Sequence, residues 1–375
     1  MGGRVERPGR FVIPAAFSVC YIRWMGDMEK IKRAAVLGAG SWGTSLGKVL
    51  AENGIQTTLW GLPTDPIREI NEQHENPKYL PNIPLPTNLR ATDSLDAALT
   101  GADLVMLVVP SHVMREVANQ LAPRLPPGVP VLTAIKGIEN ESLMLPSQIL
   151  ESILPPDRHA QLTFLSGPSF AREVAQGIPT AVLVASHSPA YSETVQNALN
   201  NSRLRVYSTD DVIGVEVGGA LKNVVAIAAG ISDGLGFGHN SRAALITRGL
   251  AEMGRLATKL GAHPLTMSGL SGMGDLVLTC TGDLSRNRHV GIELGKGKKL
   301  PQVLSEMTMV AEGVRTTKSA HELSRREQVE MPIVEGMYRI LYEHADPRNE
   351  VADLMARSPR PERDDLRESE PPGRA

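Results

Sequence analysis

From residue 32 to about residue 207 the chain alternates short apolar runs with stretches of helical spacing. The runs at 34–37, 56–60, 104–109, 130–135, 162–165, 181–185 and 204–207 are rich in Val, Leu, Ile and Ala. Several are continuous, as in strands covered by helices on both faces of a parallel sheet. Between them, 45–53, 113–121 and 188–199 carry apolar residues at helical spacing. Such regular alternation predicts a doubly wound α/β domain over 31–209. Near Asp210 the pattern changes: strand-like runs vanish, and 214–231, 241–260, 265–269 and 310–325 read as helices. Gly261 stands where the second of these would stop. An all-α domain over 210–345 is therefore expected, with the apolar segment 212–231 packed between the two units.

The two ends read differently. Residues 11–22 are apolar and follow several arginines, but Pro14 interrupts them and Arg23 follows. Residues 1–30 are expected to be an extension outside the fold, with Met25 or Met28 as the start. From 346 to 375 the chain is rich in Pro, Arg, Asp and Glu, which predicts a solvated tail. Composition adds bounds. Hydrophobic residues make up 42% and charged ones 21%, ordinary for a globular protein, and no apolar run is expected to reach the ~18 residues that a bilayer span needs. A formal net charge of −2 gives no overall field toward nucleic acid or an anionic membrane, so any anion site must be local. The two cysteines, Cys20 and Cys280, fit neither a disulfide framework nor a zinc site. They point to a reducing, cytoplasmic compartment. No histidine, cysteine or carboxylate spacing suggests a metal.

The candidate chemistry begins at Gly38-Ala39-Gly40-Ser41-Trp42-Gly43, directly after the first strand and before a helix expected near Thr44. Such a turn can be a purely structural connection or a cradle for a dinucleotide pyrophosphate at a helix N-terminus. In a doubly wound sheet ligands sit beyond the carboxyl ends of the strands. There lie Pro110-Ser111-His112, Lys136-Gly137 and Ser166-Gly167-Pro168-Ser169-Phe170. Lys136 is either the first solvated residue of a loop or a cation in the cleft. Lys222, beside Asn223 in an apolar helix, is either a snorkelling lysine or a desolvated catalytic one. A further cluster runs from Gly272-Met273-Gly274-Asp275 to Ser285-Arg286-Asn287-Arg288. Arginine beside Ser and Asn suits a phosphate, and an ordinary helix N-cap at Ser285 would use the same letters.

Taken together, these motifs, with Asn76-Pro77-Lys78-Tyr79-Leu80-Pro81 and Glu216-Val217-Gly218-Gly219-Ala220-Leu221-Lys222-Asn223, resemble the bacterial type of NAD(P)-dependent glycerol-3-phosphate dehydrogenase over nearly all of 32–345. The resemblance implies a Rossmann-like domain followed by a helical one, a homodimer, and interconversion of dihydroxyacetone phosphate and sn-glycerol 3-phosphate for phospholipid synthesis. Lys222 then matches the catalytic proton carrier, Lys136 a group that holds and polarises the substrate, and Asp275 a residue that contacts the substrate and orients the lysine, with Thr279 nearby; Lys222, Lys136 and Asp275 all also match substrate-binding positions. Gly167, Ser169, Ser285, Arg286 and Asn287 match substrate-binding positions. Gly38, Gly40, Ser41, Trp42, Gly43, Lys136, Ala171, Arg286, Val310 and Glu312 match cofactor-binding positions.

The second strand ends Trp60-Gly61-Leu62, with neither the acid expected for NAD nor the basic residue expected for NADP. The cofactor is therefore read as NAD(P)(H), with a slight lean to NADP(H) that comes from the family resemblance and from the missing acid. The competing readings are a two-domain dehydrogenase of the 3-hydroxyacid or 6-phosphogluconate type, and a non-catalytic dinucleotide sensor. The first would lack the Ser-Arg-Asn-Arg cluster, and the second predicts erosion at Lys222, Lys136 or Asp275.

Overall fold

A computed structural model describes residues 31–307, 310–359 and 361–362. The apolar run at 11–22, Cys20 and 363–375 lie outside the described residues.

Among the described residues eight strands form one sheet: β1 (Arg33–Leu37), β2 (Gln56–Trp60), β3 (Leu89–Thr92), β4 (Leu104–Leu107), β5 (Val131–Thr133), β6 (Leu162–Ser166), β7 (Thr180–Ala185) and β8 (Leu204–Thr209). Their spatial order is β3-β2-β1-β4-β5-β6-β7-β8. The chain thus winds outward from β1 in both directions. Leu37 pairs with Trp60 on one side and Leu107 on the other, so three strand ends open onto one crevice. The continuous runs are strands with every residue buried, as in β4 and β6.

Two details depart from the sequence reading. β3 was not expected, because its four residues, Leu-Arg-Ala-Thr, bury only alternate side chains at the edge of the sheet. β7 runs antiparallel to β6, since the connection from Gly167 to Pro179 holds only the short helix Ala171–Ala175 and cannot carry the chain back along the sheet. β7 and β8 are parallel again.

The second core surrounds the helix Val212–Gly234, whose N-terminus is closed by Asp211 accepting from the Gly214 N–H at 2.9 Å. This helix corrects the expectation that no run is long enough for a bilayer. It passes on length and mean hydropathy, 1.6, but 94% of that window is buried within the protein. Around it pack the helices His239–Lys259, Asp275–Thr281, Arg286–Gly295, Glu312–Arg326 and Pro332–Tyr342. Gly261, with φ +100°, follows the end of the first of these as a left-handed stop.

The contact with Arg286–Gly295 is backbone on backbone. A Cβ at Gly291 would lie 2.1 Å from the Ile227 carbonyl oxygen, and one at Gly230 would lie 2.1 Å from that of Arg288. No other residue fits at either place.

Buried carboxylates tie the parts together. Glu216 accepts from the Ser147 N–H at 2.7 Å and its hydroxyl at 2.5 Å, joining the long helix to the helix Pro146–Ile153 of the sheet domain. Burial pushes the Glu216 carboxyl up to about 8, against the pull of Ser147. Glu252 caps Pro332–Tyr342 through the N–H groups of Ile333 and Val334, and burial raises it to about 7.

The stretch expected to be a solvated tail from 346 begins with a helix, Pro347–Met355. Asp346 caps it, and Glu350, buried, accepts a forked pair from Arg339 at 2.6 and 2.9 Å. Charge-rich composition hid this helix, because its anchor is an ion pair and not an apolar stripe.

Candidate active site

The glycine turn sits at the carboxyl end of β1, beside β4, where the sheet order reverses. Gly38 has φ +125°, and any Cβ there would strike the Val108 carbonyl at 2.5 Å. A Cβ at Gly43 would lie 1.9 Å from the Gly38 carbonyl oxygen, so helix and strand meet at bare backbone. Gly40 differs, with nothing within 4 Å of its Cβ position. The helix Ser41–Glu52 starts here, three residues earlier than expected, with no side-chain cap and no acid in its first turn. Open space at Gly40 and uncapped N–H groups fit a pyrophosphate.

The turn is braced from outside. The Ser41 hydroxyl donates to the Tyr79 carbonyl at 2.6 Å, and Asn76, fully buried, donates to the Ala39 carbonyl at 2.9 Å and to the Thr44 hydroxyl at 2.8 Å. Trp42 packs against the sheet core, and the Ala171 carbonyl accepts from Ser45 at 2.7 Å.

Lys136 extends from beyond β5, and Lys222 from the middle of the long helix. Both end on one carboxylate. Lys136 Nζ lies 2.6 Å from Asp275 Oδ2, and Lys222 donates to Asp275 Oδ1 and, at 2.9 Å, to the Thr279 hydroxyl. Side-chain exposure is 1% for Asp275, 9% for Lys222 and 17% for Lys136, so the triad is almost dry with Lys136 nearest the solvent. Asp275 opens the helix Asp275–Thr281 directly after the π-turn Leu270–Gly274, a widening often found at functional sites. The turn packs tightly on the long helix: a Cβ at Gly218 would lie 2.6 Å from the Ser271 carbonyl oxygen.

The electrostatics follow from the burial. Desolvation pulls the Lys222 ammonium down to about 7, with Asp275 resisting and Lys136 assisting. Desolvation would raise Asp275, yet its two lysines together hold it below the usual carboxylate range. The buried Cys280 thiol beside them is pushed up to about 12 and stays protonated. An ammonium that ionises near neutrality can give or take a proton.

Around this triad the other expected residues divide. Lys136 also approaches the Gly167 carbonyl at 3.4 Å, which the Ser169 hydroxyl meets at 3.0 Å. Ser285 is an N-cap, accepting from the Arg288 N–H at 3.2 Å. Arg286 is exposed, and desolvation by the surrounding protein lowers its guanidinium from the ordinary value, with the Glu312 charge opposing. Asn287 is buried, donating to Asn223 Oδ1 and accepting from the Gly313 N–H, both at 2.9 Å. Val310 is half exposed, at 42%.

Glu312 crosses to the sheet domain, where Glu312 Oε2 accepts from the Ser111 hydroxyl at 2.5 Å. Sequence reasoning placed Ser111 at a strand end but gave it no partner, and the separation of 201 positions left no local signal. Asn223 and Gly313, which lock Asn287, also went unassigned. Among the described residues no cluster of three His, Cys, Asp or Glu side chains could hold a metal ion.

Comparison with known proteins matches residues 33–192 to the family described as NAD-dependent glycerol-3-phosphate dehydrogenase N-terminus, and 211–352 to its C-terminus. The chain belongs to this dehydrogenase family. It is 54% identical over 330 residues to glycerol-3-phosphate dehydrogenase [NAD(P)+] of Myxococcus xanthus, covering 88% of this chain and 98% of that protein. It is also 54% identical to the enzyme of the same name from Geobacter sulfurreducens, covering 88% and 99%.

Among solved structures, glycerol-3-phosphate dehydrogenase from Coxiella burnetii superposes with a TM-score of 0.83 at 41% identity, covering 88% of this chain and 99% of that one. A ketopantoate reductase from Ralstonia eutropha, at 17% identity and TM-score 0.54, shares the fold. These matches favour neither the 3-hydroxyacid or 6-phosphogluconate reading nor the sensor reading.

Proposed function

We propose that the chain is an NAD(P)-dependent glycerol-3-phosphate dehydrogenase, interconverting dihydroxyacetone phosphate and sn-glycerol 3-phosphate. The observation that carries this reading is the buried lysine pair on Asp275, placed past the strand ends that frame the glycine turn. When bound, the nicotinamide cofactor supplies or accepts the hydride at C2 of the substrate. The chain's own groups supply the rest.

Lys222, as an ammonium, gives its proton to the C2 oxygen as negative charge develops there, and in the oxidative direction its neutral amine takes that proton back. Asp275 and Thr279 fix the direction of the Lys222 amine. Lys136, the more exposed cation, holds and polarises the substrate oxygens. Arg286, at the first turn of Arg286–Gly295, takes the phosphate together with that helix terminus. Gly167 and Ser169 line the carbon chain, while Ser285 and Asn287 shape the phosphate end. Gly38, Gly40, Ser41, Trp42 and Gly43 hold the dinucleotide from one side, with Ala171, Val310 and Glu312 completing the site.

The product suits the first acylation steps of phospholipid synthesis, and the absence of cysteine frameworks supports a cytoplasmic enzyme. A homodimer is the family expectation. Purified protein mixed with reduced cofactor and dihydroxyacetone phosphate should consume the cofactor's near-ultraviolet absorbance in proportion to substrate. No consumption with either NADH or NADPH would end this reading.

A further inference from the structure

The second strand ends without an acid, yet the structure brings one to its end from further along the chain. After β2, Leu62–Asp65 forms a tight reverse turn: the Asp65 N–H donates to the Leu62 carbonyl at 2.9 Å, and the Leu62 N–H donates to Asp65 Oδ2 at 2.8 Å. The carboxylate thereby folds back over Gly61. A Cβ at Gly61 would lie 3.0 Å from Asp65 Oδ2 and 2.9 Å from Cβ of Ala39, the residue inside the glycine turn. Asp65 thus fills the place from which a strand-end side chain would project toward the adenosine ribose of a bound dinucleotide.

The carboxylate is held there from a second side. Asp65 Oδ1 accepts from the Tyr79 hydroxyl at 2.8 Å, and the Tyr79 carbonyl accepts from Ser41 of the glycine turn. The side chain is only 10% exposed, and each oxygen has one strong donor, which leaves acceptor capacity on both.

We propose that Asp65 sets the choice between dinucleotides, favouring the ribose 2′-hydroxyl of NAD(H) over the 2′-phosphate of NADP(H). A ribose hydroxyl can donate to the carboxylate, whereas a 2′-phosphate would bring like charge against it. Lys78 keeps the bias from being an exclusion. Its Nζ lies 3.5 Å from Asp65 Oδ1, 3.2 Å from the Thr64 carbonyl and 4.8 Å from the centre of the Tyr79 ring, with its side chain 47% exposed, so a cation stands beside the carboxylate for a 2′-phosphate to meet. Leu62, 56% exposed, adds no cation at the rim. This reverses the lean to NADP(H), which rested on the family resemblance and on the acid missing from 60–62. The proposal rests on the dehydrogenase reading for the class of cofactor.

The test is a titration of NADH and NADPH, followed by nicotinamide fluorescence with no substrate present. The wild-type protein should bind NADH more tightly. Asp65→Asn keeps the shape and the Tyr79 and Leu62 partners, and should lower the NADH to NADPH affinity ratio about tenfold or more. Lys78→Ala should weaken NADPH while leaving NADH within about twofold. Tighter binding of NADPH by the wild-type protein, or an equal loss of both cofactors in Asp65→Asn, would overturn the proposal and leave Asp65 a brace. If Asp65→Asn does not fold, Leu62→Arg, at an exposed position, should shift the ratio toward NADPH, and an unchanged ratio would refute the idea. Normal NADH binding without turnover of dihydroxyacetone phosphate would instead sink the dehydrogenase reading alone.

Discussion

Asp275→Asn removes one charge from the centre of the triad and keeps its volume. Among the described residues Asp275 is the counter-ion of both Lys136 and Lys222. At the observed 2.6 Å and an effective dielectric of about 20, the Lys136 pair alone corresponds to about 6 kcal/mol of Coulomb energy. Desolvation offsets much of this, and breaking a buried pair costs about 3 to 5 kcal/mol. If about 2 kcal/mol of that falls on Lys222, its pKa drops by about 1.5, at about 1.4 kcal/mol per pH unit. The wild-type amine ionises at about 7. Reduction needs the ammonium and should decline as pH rises through that value, while oxidation needs the free amine and should rise through it. In Asp275→Asn both limbs should move to between about pH 5 and 6, with kcat reduced in the reductive direction at neutral pH. Initial rates in both directions across pH, with the Kd of reduced cofactor as a folding control, make the measurement. Limbs at the wild-type pH with kcat within about threefold would refute the assignment of Asp275 as the charge that sets Lys222.

Three further outcomes are expected. Lys222→Ala should lose about 100-fold to 10,000-fold in kcat with cofactor Kd unchanged, measured by steady-state rates and fluorescence titration. Ser285→Ala should lose about 1 kcal/mol of stability in denaturant melts through the lost cap, and a rise in KM beyond that would show that the hydroxyl also meets substrate. Glu216, raised from 4.5 to about 8, holds a proton in the folded state that the unfolded chain releases. Its share of stability should therefore fall as pH rises from about 4.5 to about 8, and Glu216→Gln should flatten that slope in urea melts taken across the window.

The legible parts of the fold are those where one physical signal dominates. β4 is Leu-Val-Met-Leu, buried throughout, and can be read directly as a covered strand. β3 is half polar at a sheet edge, and its identity comes from pairing with β2. Pro347–Met355 is held by Arg339 and Glu350, a contact between helices that no periodicity records. In the site, Lys222 stands out because a charge in an apolar helix demands a partner. That partner, Asp275, is 53 positions away, and the link from Glu312 to Ser111 spans 201. Asp65 carried no signal at all, because the rule looks at the strand end and the turn Leu62–Asp65 delivers the acid from beyond it.

The glycine seats between Val212–Gly234 and Arg286–Gly295 bear on what the cleft will accept. Lys222 rides on one of these helices and Arg286 begins the other. At the glycine seats the two backbones touch, and nearer the site the buried hydrogen bond from Asn287 to Asn223 joins the same two helices. On the roles proposed for Lys222 and Arg286, the span from proton carrier to phosphate grip is then a gauge set by main-chain contact together with that one amide pair. Lengthening the reach by one carbon would call for a change at this seam, so a substrate range broadened by point substitutions outside it should widen at the edges of the cleft and not along its length.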